Sequence, residues 1–88
     1  MSFENSFKNR DRFTQIGITI SGLRKLRGMS QEQLAEKAEI SRTYLSSIEA
    51  PGMMQPFSLE IFFNIADALN VDPAELLKTA LASDQILK

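Results

Sequence analysis

Apolar residues recur along the chain at spacings of three and four, and each recurrence opens on the same short device. Ser30 stands after Met29 and four positions before Leu34. Ser41 stands likewise between Ile40 and Leu45, Ser58 between Phe57 and Phe62, and Asp72 between Val71 and Leu76. A polar N-cap flanked by apolar residues at N′ and N4 is a hydrophobic staple, which sets the direction in which the chain enters a helix. Gln33 completes a capping box with Ser30, and Asp72 is followed by Pro73 at N1 and Glu75 at N3. The pattern predicts helices over about 31–38, 42–50, 59–69 and 73–82. An earlier helix carries Phe13, Ile16, Ile20 and Leu23 on one face and ends at Arg27-Gly28, a basic last turn with a Gly stop.

Strand signals are nearly absent: β-branched residues do not alternate with polar ones, and no Asn-Gly or Asp-Gly hairpin turn occurs. The expected fold is therefore all-α, a compact unit of five short helices. Residues 1–10 read as a flexible N-terminal arm, 11–82 as the domain and 83–88 as a tail. Ala50 to Phe57 is the one loop of any length.

At 88 residues the core is thin, so each cap counts. The chain has no Cys and no His, which removes thiolate and imidazole metal ligands, a cysteine nucleophile and the commonest general base. Glu32, Glu36 and Glu39 share part of one helix surface, the usual arrangement of a solvated face. No catalytic residue, metal or cofactor is expected, and a binding module is favoured over an enzyme. No apolar run is long enough to span a membrane and no secretory h-region opens the chain, so a cytoplasmic location is expected.

The net charge of −1 conceals a division. Residues 1–42 hold Lys8, Arg10, Arg12, Arg24, Lys25, Arg27, Lys37 and Arg42 against five acids; residues 43–88 hold Lys78 and Lys88 against six. One side suits a polyanion and the other does not.

Gln31 to Ala50 spells an eight-residue helix, a tight turn at Glu39–Ser41 and a second short helix, with Ala35 and Ala38 small enough for a close crossing. This is helix-turn-helix geometry, in which the second helix can enter a major groove. At 100° per residue, Arg42, Thr43, Ser46, Ser47 and Ala50 fall within about 140° of arc, opposite Leu45 and Ile48. Such a face is small and polar. Arg42 can fork onto guanine O6 and N7, Thr43 offers a methyl for thymine, and Ser46 and Ser47 accept or donate. Gln31, first after the Ser30 cap, suits a phosphate oxygen. Tyr44 either extends its hydroxyl to a phosphate or packs against the preceding helix.

These residues resemble the phage repressor/Cro-like (XRE-type) helix-turn-helix family over about Ile16 to Leu77. The run Arg-Thr-Tyr-Leu-Ser-Ser-Ile-Glu is similar to small transcriptional regulators, among them controller proteins of restriction–modification operons and biofilm-type repressors. The resemblance implies a sequence-specific binder of double-stranded DNA that regulates transcription, with a backbone-contacting Gln31. It also implies an Arg24–Glu49 pair that orients the second helix.

Three positions depart from the family pattern. Glu39 stands where Gly is common at the turn. Met53, Met54 and Gln55 are neutral where the loop is usually basic, which lowers the phosphate neutralisation available to one copy. Ile18 replaces a charged residue and would pack against Phe13 or under the arm. The missing charge could come from Lys8, Arg10 and Arg12 on the arm, or from a homodimer on paired half-sites. Leu77, Leu81, Ile86 and Leu87 offer an apolar seam; Leu77 is expected to complete the core, while Ile86 and Leu87 are either an interface or a frayed end. The alternative function is a protein-interaction or antitoxin-like adaptor using Met53, Met54 and Phe57 as its contact patch.

Overall fold

The structure, a computed structural model, describes residues 8–53 and 55–82. Among these residues the chain forms five helices: α1 (Arg10–Leu26), α2 (Gln31–Ala38), α3 (Arg42–Glu49), α4 (Leu59–Ala68) and α5 (Pro73–Ala80). The expected boundaries hold to within one or two residues. Of the arm read over residues 1–10, residues 1–7 lie outside the described residues, whereas Arg10 already opens α1 and Arg12 lies within it; the tail from residue 83, with Ile86 and Leu87, and Met54 also lie outside.

All four expected caps are made. The Ser30 hydroxyl accepts from the Gln33 amide at 3.1 Å while Gln33 Oε1 accepts from the Ser30 amide at 2.8 Å. Ser41 accepts from Tyr44, Ser58 from Ile61, and Asp72 from Ala74. Asn9, ahead of α1, makes no such bond; its side chain accepts from Arg12 instead. The N′ residues Met29, Ile40, Phe57 and Val71 all pack on the core, and their N4 partners Leu34, Leu45, Phe62 and Leu76 are buried.

Three of the four connections close by one further device. Gly28, Glu39 and Asn70 have φ of 72°, 62° and 59°, in the left-handed region. After each, an apolar residue donates its amide to a carbonyl one turn and more back: Met29 to Arg24, Ile40 to Ala35 and Val71 to Ala66, each at 3.0 Å. These are Schellman motifs. The residue that ends one helix in this way is the same residue that staples the next. Gly28-Met29-Ser30, Glu39-Ile40-Ser41 and Asn70-Val71-Asp72 are thus one connector used three times. Only Gly28 occupies its left-handed position without a Cβ; Glu39, standing where Gly is common, is left-handed with a Cβ, a conformation that costs about 1–2 kcal/mol.

The core joins Ile16 and Ile20 of α1, Leu34, Ala35 and Ala38 of α2, Leu45 and Ile48 of α3, Phe62, Ile65 and Ala66 of α4, and Leu69, Leu76 and Ala80. α2 packs on α4, α1 lies against both α3 and α5, and α2 meets α3 at the turn. α1 is the platform for α3 because of Gly17: a Cβ there would lie 2.0 Å from the Ile48 carbonyl oxygen. Only a bare Cα lets the two backbones touch.

Two apolar residues are more exposed than a core role would leave them. Ile18 is 51% exposed and turned to the α3 side of α1 rather than stapled on Phe13; its other expected place, under the arm, lies outside the described residues. Phe13 meets Phe57 edge-on at 5.0 Å, and Phe57 stacks in turn on Phe62. Leu77 does not complete the core but stays 38% exposed, because Leu76 and Ala80 already fill the buried stripe of α5. Leu81 does pack on the core.

Candidate nucleic-acid interface

α3 is eight residues long and is held at its far end by a buried ion pair. Arg24 Nε donates to Glu49 Oε2 at 2.9 Å and Nη2 to Oε1 at 3.0 Å, a two-point fork that fixes the carboxylate plane. Arg24 Nη1 also donates to the Met29 carbonyl at 2.8 Å. Both residues are buried, at 8% and 7% exposure. Each polar atom of the pair has found a partner, and no buried side-chain polar atom among the described residues lacks one. Such a pair fixes an arrangement more than it adds stability. The arrangement here is α3 against the end of α1 and the α1–α2 turn.

Gln31 extends this network. Its Nε2 donates to Glu49 Oε1 at 3.0 Å. One amide hydrogen is thereby committed inward, leaving the second hydrogen and the carbonyl oxygen of the half-buried side chain on the open side. Sequence reading placed Gln31 at a helix start facing an anion; its tie to Glu49, 18 residues away, was not visible there.

On the outer face of α3, Arg42 and Thr43 are exposed, and Ser46 and Ser47 are half-buried. Arg42 makes no hydrogen bond or ion pair with any described residue. The Ser47 hydroxyl donates to the Thr43 carbonyl at 3.2 Å, so toward solvent it is an acceptor. Tyr44 is half-buried, its ring packed on the core but not fully covered. Beside this face runs an open groove lined by Ile18, Ser21, Gly22, Lys25, Ser46, Ala50 and Pro51, with Arg24, Gln31 and Glu49 as its floor.

The charge division along the chain needs one revision. Arg24 is neutralised by Glu49, and Arg27 is turned away from α3. Its Nε donates to the Leu69 carbonyl at 2.7 Å and its Nη2 to the Asn70 carbonyl at 3.4 Å, where it caps the end of α4. A guanidinium at a helix C-terminus meets the carbonyls that have no helical partner. Two of the basic residues counted toward a polyanion face are therefore structural. Arg27 and Gly17 are the important residues that sequence reading missed. The basic last turn hinted at Arg27, but nothing local pointed to Gly17.

Of the residues named for an adaptor patch, Met53 is 52% exposed and Phe57 is half-buried between Phe13 and Phe62, while Met54 lies outside the described residues. Glu32, Glu36 and Glu39 are all exposed, a solvated face. No helix among the described residues is long and apolar enough to cross a membrane.

Known proteins resemble this arrangement. A family model described as Helix-turn-helix matches residues 20–76. The restriction-modification controller protein C.AhdI from Aeromonas hydrophila is 31% identical, over 73% of this chain and 94% of that protein, with a TM-score of 0.67. The clp gene regulator ClgR from C. glutamicum is 26% identical, covering 82% of this chain and 91% of its own, with a TM-score of 0.73. A point mutant of the restriction-modification controller protein C.Esp1396I is also 26% identical, over 88% and 92%, again with a TM-score of 0.73. No curated protein matches the chain by sequence. With the family model spanning well over half of the residues and both helices of the motif in place, the chain belongs to the helix-turn-helix family of the phage-repressor and Cro-like type.

Proposed function

We propose that this protein is a DNA-binding transcriptional regulator that lays α3 in the major groove of double-stranded DNA, works without catalysis, and acts in the cytoplasm. One observation carries the reading: a short helix with a small polar outer face is clamped at its far end by a buried ion pair and by the Gly17 contact. A rigid helix with exposed side chains at one end is what base reading requires. The similarity to two controller proteins and a gene regulator supports the regulatory role.

Within this reading Arg42 and Thr43, at the start of α3, contact base edges, with Ser46 and Ser47 behind them. Ser47 serves as an acceptor and so suits a base amino group. Gln31 gives its free amide hydrogen to a phosphate oxygen, and the Tyr44 hydroxyl reaches the same strand from the edge of the core. Residues 11–82 act as the binding domain, and Lys8 and Arg10 at the start of α1 add phosphate contacts. With Arg24 and Arg27 occupied, one copy has few cations to offer, so tight binding needs two copies on paired half-sites.

Selection of binding sites from random duplexes, followed by titration of Arg42→Ala, tests this. The variant should lose about 1–3 kcal/mol on the selected site and relax its preference at one base pair. Equal weakening on selected and scrambled duplexes would place Arg42 on phosphate and remove it from base reading. Retention on duplex DNA that does not change with salt would refute the reading as a whole.

A further inference from the structure

The chain has six Phe, and four of them meet in one row. Phe13 of α1 stands edge-on to Phe57 at 5.0 Å, Phe57 stacks on Phe62 at 6.4 Å, and Phe62 lies 6.1 Å from Phe63. Beside this row, Phe13, Ile16, Phe57, Leu59, Phe62 and Leu77 line an apolar slot of about 240 Å³. A cavity of about 150 Å³ already accepts a benzene ring, so the side chain of one Phe fits. Leu59 and Leu77 form the two lips, 66% and 38% exposed.

The start of α1 lacks what the other four helices have. Its N-cap Asn9 makes no side-chain cap bond, and its N′ residue is Lys8 where the others carry Met29, Ile40, Phe57 and Val71. Its N4 residue is Phe13, so one half of a hydrophobic staple stands in the slot wall without the apolar partner that precedes each other cap. The two remaining Phe, Phe3 and Phe7, both belong to the seven residues ahead of Lys8, whose one charged side chain is Glu4. Four positions apart, they suit one face of a helical turn. Reach is ample: Phe13 rises about 4.5 Å along α1 from Arg10, and the three residues from Phe7 to Arg10 span up to about 10 Å. The tail is less well placed, since it leaves beyond Leu81, which packs on the core, and its Ile86 and Leu87 are flanked by Asp84 and Lys88.

We propose that residues 1–7 fold back over the start of α1 and close this slot, Phe7 packing on Phe13 as the second half of the staple and Phe3 entering between Leu59 and Leu77. The segment is then part of the domain rather than an arm laid along DNA. It holds the start of α1, the helix on which α3 rests. The inference concerns α1 and stands apart from the reading of α3.

Thermal melts of the full chain test it. Phe7→Ser and Phe3→Ser should each lower Tm by about 6–12 °C, as burial of most of a Phe side chain in a domain of this size implies. In a Leu77→Ser background, Phe3→Ser should lower it by less than half as much, because the lip it packs on has gone. A cross-link locates the segment, since the chain has no cysteine of its own. On oxidation, Phe3→Cys combined with Leu77→Cys should bridge within one chain; Phe3→Cys combined with Leu26→Cys, about 20 Å along α1 from Phe13, should not. Phe3 and Phe7 variants that melt at the wild-type temperature overturn the proposal, as does failure of the first pair to bridge. A bridge that joins two chains gives the slot to another copy and overturns it too. A lower Tm from Ile86→Ser, with none from Phe3→Ser or Phe7→Ser, assigns the slot to the tail and overturns it likewise. DNA retention, measured separately, reports on the reading of α3.

Discussion

Gly17→Ala is the substitution whose outcome depends most directly on the geometry. An added Cβ would lie 2.0 Å from the Ile48 carbonyl oxygen, 3.1 Å from its carbonyl carbon and 3.5 Å from Glu49 Cα. All three are backbone atoms, so no rotamer change relieves the contact, and α1 and α3 must part by about 1 Å even to escape the overlap. Overpacking of this kind costs about 1–3 kcal/mol, and a rigid backbone neighbour puts it at the upper end. Removing Gly from a helix interior returns about 0.5–1 kcal/mol. The net expectation is a loss of about 2 kcal/mol, or roughly 8–16 °C in Tm for a domain of this size. Gly22→Ala is the internal control: it lies in the same helix and has nothing within 4 Å of the added atom. It should gain about 0.5–1 kcal/mol. Thermal melts followed by circular dichroism read both signs in one experiment. A Gly17→Ala variant as stable as the wild type would show that α3 does not rest on Gly17. The same parting of α1 from α3 would stretch the Arg24–Glu49 fork, so the folded variant should also bind DNA more weakly than Gly22→Ala.

Two further substitutions probe the turn and the clamp. Glu39→Gly removes a Cβ from a left-handed residue and should stabilise the fold, though by less than the full 1–2 kcal/mol because Gly also loosens the unfolded chain; a lowered Tm would contradict the reading of that turn. Asn70→Gly should have a smaller effect, since Asn tolerates the left-handed region better than Glu. Arg24→Ala leaves the Glu49 carboxylate buried with only Gln31 as a side-chain partner and should cost about 3–5 kcal/mol, with DNA binding lost through folding. Full thermal stability in that variant would mean that the pair is not needed to hold α3.

Much of the fold was legible because it is local. A cap, its staple and its capping box span five or six residues, and the energies that select them act over that distance. Ser30, Ser41, Ser58 and Asp72 therefore marked the helix starts, and Glu39–Ser41 the tight turn, without reference to the rest of the chain. Asn70 belonged to the same class and was open to the same reasoning, as a turn-forming residue between a helical run and a staple. The polar face of α3 was equally legible from the 100° step.

Read along the chain alone, the residues set where each helix begins, how three connectors end one helix and start another, and that the chain folds as helices. Packing between distant segments chose which of several equivalent residues took on a role. Arg24 and Arg27 stand in one helical turn with the same side chain. One is buried against Glu49, 25 residues on, and the other caps α4 through Leu69, 42 residues on. Gly17 and Gly22 are likewise indistinguishable along the chain, yet one is a backbone contact and the other is open space. Leu76 is buried while Leu77 faces water, because only one arc of α5 meets the core. Local rules fix each residue's backbone and the direction of its side chain, but what lies in that direction is set by helices that pack from far along the chain.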